Sequence, residues 1–191
     1  MINKLIKKQF KNFKPYTSAR NLYTTGTFLD ANESPFDTGL NRYPNPSYKT
    51  LKEILANYVN SKPENIFLGV GSDEVLDLIV RLFVEPDEEV VIFTPTYGMY
   101  EVIANKNGVK TTKLPLNNNF QINKIEFYSS ITPNTKLVFI CSPNNPTGNL
   151  INKEDILEIC KNDRSDESEP MAPINYQYSK EPGKWRVDPI N

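Results

Sequence analysis

Histidine is absent from all 191 residues. That excludes Ser-His-Asp and Cys-His nucleophilic catalysis, together with the common His-containing zinc sites. Cysteine occurs only at Cys141 and Cys160, too few for a disulfide framework and without metal-type spacing. Both read as small buried hydrophobes, no metal is expected, and a reducing, cytoplasmic setting is the natural one. No apolar run is long enough to span a membrane. Net charge is nearly missing as well, since 22 Lys and Arg balance 23 Asp and Glu, so charge suggests no nucleic-acid partner. Lys4, Lys7, Lys8 and Lys11 crowd the start without a following apolar core, so no signal peptide is read there. Ile2, Leu5, Ile6, Phe10 and Phe13 recur at helical spacing and predict an amphipathic arm. A mitochondrial-type presequence is the alternative.

From about residue 46 helix and strand patterns alternate. Ser47 is placed to cap a helix whose apolar face is Leu51, Ile54, Leu55, Tyr58 and Val59. Pro63 and Glu64 turn the chain into a short strand, Ile66 to Val70, and Gly71-Ser72-Asp73-Glu74 opens a second helix ended by Pro86 and Asp87. Val90 to Thr94 reads as a buried strand, with Pro95 starting a helix that stops near Gly108. A strand over Val109 to Leu116, a helix over Ile122 to Ile131 and a strand over Lys136 to Cys141 follow. Asn152, with Asp155 three residues on, caps a last helix to about Lys161. Strands separated by helices imply crossover units and a mainly parallel sheet, an α/β fold. After Asn162 neither period survives, and the polar, proline-punctuated stretch 163–191 reads as a disordered tail. The expected organisation is therefore an arm and lid segment at 1–45, an α/β domain at 46–162, and that tail.

Three stretches could carry chemistry. Gly69-Val70-Gly71-Ser72-Asp73-Glu74 opens a helix, whose unpaired N–H groups and positive dipole end can bind a phosphate. Ser72 could add a hydroxyl, or it could simply cap the helix. Thr94-Pro95-Thr96-Tyr97-Gly98-Met99-Tyr100 follows a strand, and its aromatic rings either stack on a planar ligand or pack on neighbouring helices. Ser142-Pro143-Asn144-Asn145-Pro146-Thr147-Gly148 is a stiff polar loop after another strand, either a turn or a holder of a polar ring. Taken in order, a phosphate cradle, an aromatic stacker and an amide loop suit a flat, phosphorylated aromatic cofactor, with pyridoxal phosphate the leading candidate.

These residues resemble the fold-type I, pyridoxal-phosphate-dependent aminotransferases, and within them the histidinol-phosphate aminotransferase family. The likeness extends to Pro15-Tyr16-Thr17-Ser18-Ala19-Arg20, Leu29 to Pro35 and Asn41-Arg42-Tyr43-Pro44, and covers roughly residues 5 to 162. The resemblance implies an incomplete three-layer α/β/α transferase domain with a mainly parallel sheet. It implies that main-chain N–H groups of Ser72, Asp73 and Glu74 hold the cofactor phosphate, Tyr97 stacks on the ring, and Asn145 bonds the ring's phenolic oxygen. Tyr43 would reach the phosphate of a second copy's cofactor, making a homodimer, and Tyr16 and Asn32 would lie on the substrate side. The implied reaction moves an amino group between glutamate and imidazole acetol phosphate in histidine biosynthesis. Phosphothreonine decarboxylases share the asparagine loop and are the neighbouring alternative.

The family also needs a lysine to carry the cofactor, an aspartate for the pyridine nitrogen, and arginines for phosphate and carboxylate. The pattern is lost before any of these is met. Tyr178-Ser179-Lys180 imitates the lysine motif but stands too close to Gly148 and lacks the glycine-rich, arginine-bearing stretch that should follow. The expectation is a truncated or chimeric fragment, inactive alone. The other hypothesis is a non-catalytic partner that docks on a full-length aminotransferase.

Overall fold

The computed structural model describes residues 4–17, 22–23 and 25–161, together with the pairs 177–178 and 185–186. Ile2, Ser18 to Arg20 and Lys180 lie outside the described residues, as does most of the predicted tail. Its described parts, Gln177–Tyr178 and Trp185–Arg186, pair antiparallel. The chain divides into two compact units, Asn12–Leu68 and a larger one made of Met1–Lys11 with Gly69–Asn191.

The smaller unit holds helix α1, Lys49–Tyr58, with the 3-10 turn Pro63–Asn65 after it. Ser47 does not cap α1. Its N–H and hydroxyl both donate to Asn45 Oδ1, at 2.9 and 2.7 Å, and the capping position falls to Tyr48 in a left-handed conformation (φ 46°). Ala56 is the buried residue of the helix, while Leu51, Ile54 and Tyr58 of its apolar stripe are exposed. The strand predicted at Ile66 to Val70 does not form. Ile66 is extended, but a strand needs a ladder partner for its N–H and C=O groups, and none is assigned to this segment.

The larger unit is built on a parallel three-stranded sheet. Helix α2 (Gly71–Phe83) leads into strand β1 (Glu89–Thr94), followed by α3 (Met99–Lys106), β2 (Lys110–Pro115), α4 (Lys124–Ser130), β3 (Thr135–Phe139) and α5 (Lys153–Lys161). The strand order is β2-β1-β3, so β1 lies at the centre and is buried along almost its whole length. Alternation along β1 divides the core. Val90 and Ile92 pack with Leu76 and Val80 of α2 and Ile103 and Ala104 of α3. Val91 and Phe93 face the other way, onto Phe127 of α4 and Ile159 of α5. Helices on both faces of a parallel sheet explain why β1 is a continuous apolar run rather than an alternating one.

Helix boundaries correct two expectations. Pro95 does not start α3, which begins four residues later at Met99 because the intervening residues form the loop that meets the asparagine segment. At α5, Asn152 Oδ1 accepts from the Glu154 N–H at 2.9 Å, but Asp155 does not complete a capping box. Its carboxylate pairs with Lys124 at 2.8 Å, and Glu158 takes the same ammonium at 2.6 Å, bracing α4 against α5.

The order β2-β1-β3 also defines a switch point. The chain leaves β1 toward β2 on one side and later returns to the opposite side of β1 as β3. In open α/β sheets the crevice at the carboxyl ends of such neighbours is where ligands bind.

Candidate functional site

Two of the three stretches emerge from carboxyl ends of adjacent strands, β1 and β3. The third opens α2, where the sequence led us to expect a preceding strand and the structure has none. All three nevertheless meet. The Tyr97 hydroxyl donates to Asp73 Oδ1 at 3.0 Å, joining the loop after β1 to the first turn of α2. Asn144 joins the loop after β3 to the loop after β1, donating to the Pro95 carbonyl at 2.9 Å and accepting from the Thr96 hydroxyl at 3.2 Å.

The asparagine segment separates two identical residues by what surrounds them. Asn144 is 4% exposed, and its second amide hydrogen goes to Thr147 Oγ1 at 2.7 Å. The Thr147 hydroxyl donates onward to Asn149, whose amide reaches the Phe120 carbonyl at 2.9 Å. Asn144's main chain closes the turn as well, its N–H donating to Asn149 O and its carbonyl accepting from Gly148 N. Gly148 turns there with φ 75°, a left-handed value that favours glycine. Asn145 lies one residue on, exposed, and its amide has no partner among the described residues. The X–Pro bonds Ser142–Pro143, Asn145–Pro146 and Thr94–Pro95 are cis.

At α2, Gly71 enters the helix with φ 78°, and the N-cap residue, Val70, makes no cap hydrogen bond through its own side chain. Ser72 therefore does not act as the cap, and its hydroxyl is unpartnered among the described residues. Glu74 folds back to accept from the Val70 N–H. The next N–H groups of the first turn have no intrahelical acceptor, so they and the Ser72 hydroxyl form a donor set for an anion. Tyr97 meets the edge-on ring of Tyr100 (5.7 Å, 87°), and Tyr100 stacks on Phe139 of β3 (4.6 Å, 4°). The Tyr97 phenol is shifted above the usual tyrosine range by its hydrogen bond to Asp73, by burial and by that carboxylate's charge. Anion donors, an aromatic ring and a free amide are the chemistry that a flat phosphorylated ring requires.

Tyr16, Asn32 and Tyr43 belong to the smaller unit and are all exposed there. Within it the motifs around Glu33 and Tyr43 are stapled together. The Glu33 carboxylate, almost wholly buried, accepts from the Tyr43 N–H at 2.8 Å and from the Arg42 guanidinium at 2.7 Å. Asn41 donates to the Ser34 carbonyl at 3.1 Å. Glu33→Gln removes the charge from this staple. Amide exchange at Tyr43 should accelerate about tenfold, by the loss of a charge-assisted hydrogen bond. Unchanged exchange in the variant would show that the carboxylate does not hold that segment.

Among the described residues no cluster of side chains could hold a metal ion, and no helix is long and apolar enough to cross a membrane. Sequence reasoning missed Thr96, Thr147 and the Asp73 carboxylate. Their roles depend on partners 24 to 48 residues distant or within the loop itself, and no local pattern announces them.

Comparison with known proteins adds an independent line. The family described as aminotransferase class I and II matches residues 21–165. The histidinol-phosphate aminotransferase of Flavobacterium psychrophilum is 46% identical over 166 residues, which is 84% of this chain and 48% of that protein. The chain thus spans about half the length of the curated relatives it matches. Among solved structures, histidinol-phosphate aminotransferase from Clostridium acetobutylicum aligns with a TM-score of 0.56 at 34% identity, over 64% of this chain and 35% of that one. The Sinorhizobium meliloti enzyme, solved in complex with pyridoxal-5'-phosphate, gives 0.55 at 26% identity, over 61% and 32%.

Proposed function

The chain belongs to the class I and II aminotransferases, and from that premise we propose that it orients pyridoxal phosphate for transfer of an amino group between glutamate and imidazole acetol phosphate. This is the histidinol-phosphate transaminase reaction of histidine biosynthesis. One observation carries the reading. Of two adjacent asparagines at the switch point, one is wholly engaged in holding the loop, and the other is exposed with its amide free.

Main-chain N–H groups of Ser72, Asp73 and Glu74, with the Ser72 hydroxyl, bind the phosphate at the positive end of α2. Tyr97 stacks on the ring. The Asn145 amide donates to the phenolic oxygen and fixes which way the ring faces. Bound there, pyridoxal phosphate supplies an electron sink for charge developing on the substrate's α-carbon. The exposed Tyr43 main-chain segment, held by Glu33, offers its phenol to the phosphate site of a second copy. By the family likeness, Tyr16 and Asn32 are assigned to substrate binding.

On this reading the family's lysine, pyridine-pairing aspartate and arginines are not among the motifs of residues 21–165, and that expectation gives the test its form. The 191-residue chain should bind pyridoxal phosphate saturably and release it on dialysis. Borohydride reduction followed by peptide mass mapping should yield no pyridoxyl-lysine. Absence of saturable binding would refute the site, whereas an adduct on Lys180 would refute the non-covalent mode and restore that residue as a carrier.

A further inference from the structure

We propose that the Asp73 carboxylate is a positioning residue that holds the Tyr97 ring in one orientation, so that the anion site at α2 and the ring after β1 are set by a single contact. The proposal rests on the reading of Tyr97 as the residue that stacks on the cofactor, and it gives Asp73 a role beyond its main-chain N–H. Stacking alone would be served by phenylalanine. Here the hydroxyl is committed, at 3.0 Å, to a carboxylate on a different element 24 residues earlier in the chain. Asp73 lies in the first turn of α2, where a carboxylate commonly turns inward to cap a backbone N–H. Here the Glu74 carboxylate takes the N–H of the N-cap residue Val70, and Asp73 Oδ1 is instead directed to Tyr97.

The ring is thereby fixed at two places. Its tip is tied to α2 through Asp73, and its body meets Tyr100, which is stacked on Phe139 of β3. A side chain with two rotatable bonds keeps little freedom when it is tethered at the tip and wedged along the ring. Preorganisation of this kind raises affinity by removing an ordering cost from the binding step.

The test is a double-mutant cycle on the full chain with Asp73→Ala and Tyr97→Phe, read by pyridoxal phosphate affinity, with Asp73→Asn as the conservative variant. Tyr97→Phe retains the stacking ring and removes only the tether. Each single variant should weaken binding about three- to tenfold, and the double variant should be no weaker than either, as for two ends of one hydrogen bond. Asp73→Asn, which keeps an oxygen acceptor, should fall between wild type and Asp73→Ala. A carboxylate acting only as a charge beside the phosphate would repel it. Its removal would then tighten binding equally in both Tyr97 backgrounds, and that outcome overturns the proposal.

A second readout needs no ligand. The alkaline difference spectrum between wild type and Tyr97→Phe isolates the Tyr97 phenol, which should ionise above the ordinary tyrosine range and move back toward it in Asp73→Asn. Ionisation at the same pH in both proteins also overturns the proposal. If wild type fails to bind pyridoxal phosphate, the functional reading falls and the ligand side of this proposal with it. The phenol titration still decides whether Asp73 holds the ring.

Discussion

Asn144→Ala is expected to cost about 2–4 kcal/mol of stability, while Asn145→Ala leaves stability within about 0.5 kcal/mol of wild type and weakens pyridoxal phosphate binding at least about tenfold. The two substitutions delete the same amide from adjacent positions. At 144 the amide is buried and makes three side-chain hydrogen bonds, to Pro95, Thr96 and Thr147. Its loss strands the Pro95 carbonyl and removes the donor that orders Thr147 and, through it, Asn149. Loss of three hydrogen bonds from a buried amide, at about 0.5–1.5 kcal/mol each, sets the range. At 145 the amide is exposed and forms no bond that the fold would miss. Urea denaturation and ligand titration of both variants separate the two roles. A large stability loss at 145, or undisturbed folding of Asn144→Ala, would reverse the assignment.

The second large effect lies at the opposite end of the sheet. Glu89 begins β1, is 3% exposed, and accepts from Lys110 Nζ and Thr112 Oγ1 on β2 at 2.8 Å each. It also accepts from Thr135 on β3 at 2.9 Å and from Thr132 just before it at 3.0 Å. Burial opposes ionisation of this carboxyl, but the donors from Lys110, Thr112, Thr135 and Thr132 outweigh it and bring its pKa down to about 2. A depressed carboxylate pKa means that the unfolded chain takes up the proton more readily. Its stabilisation is therefore full above the unfolded pKa and is lost as pH falls through the window from about 4.5 to about 2. The displacement corresponds to about 3–4 kcal/mol. Glu89→Gln should be less stable than wild type by that amount at neutral pH, and the gap should close across the acid window. Comparison of the two proteins' denaturation midpoints between pH 7 and pH 2 cancels the other carboxylates. A gap that does not depend on pH would mean that Glu89 acts by packing rather than by charge.

Much of this architecture was legible from residue order. The apolar run of β1, the alternation of helices and strands, and Asn152 at the start of α5 all follow from local pattern. The motifs also pointed to the histidinol-phosphate aminotransferases, a likeness that extends over 84% of the chain. What failed had a partner elsewhere. Ile66 to Val70 has strand composition but no ladder neighbour, and Ser47 was drawn from its expected capping role by Asn45, two residues earlier. The strand read from Val90 to Thr94 in fact begins at Glu89, whose charge in a buried run makes sense only with three threonines and a lysine 21 to 46 residues downstream. At the site, the strand ends and the loop were visible, but two neighbouring asparagines are the same letter. Only burial tells which one holds the loop and which one faces outward.

The position of β1 between strands that arrive later in the chain has a kinetic consequence. Asn144 meets Thr96 and Pro95 across 48 and 49 residues of chain, and the intervening segment includes a strand paired to the other side of β1. Contacts of that separation incur loop-closure entropy before they return any energy, so β3 is expected to dock after the local β1-α3-β2 unit has formed. On that order the crevice between β1 and β3 is complete only once β3 has docked. A ligand seated there selects only molecules whose sheet is complete, and its binding serves as a gauge of finished folding as well as a step toward chemistry.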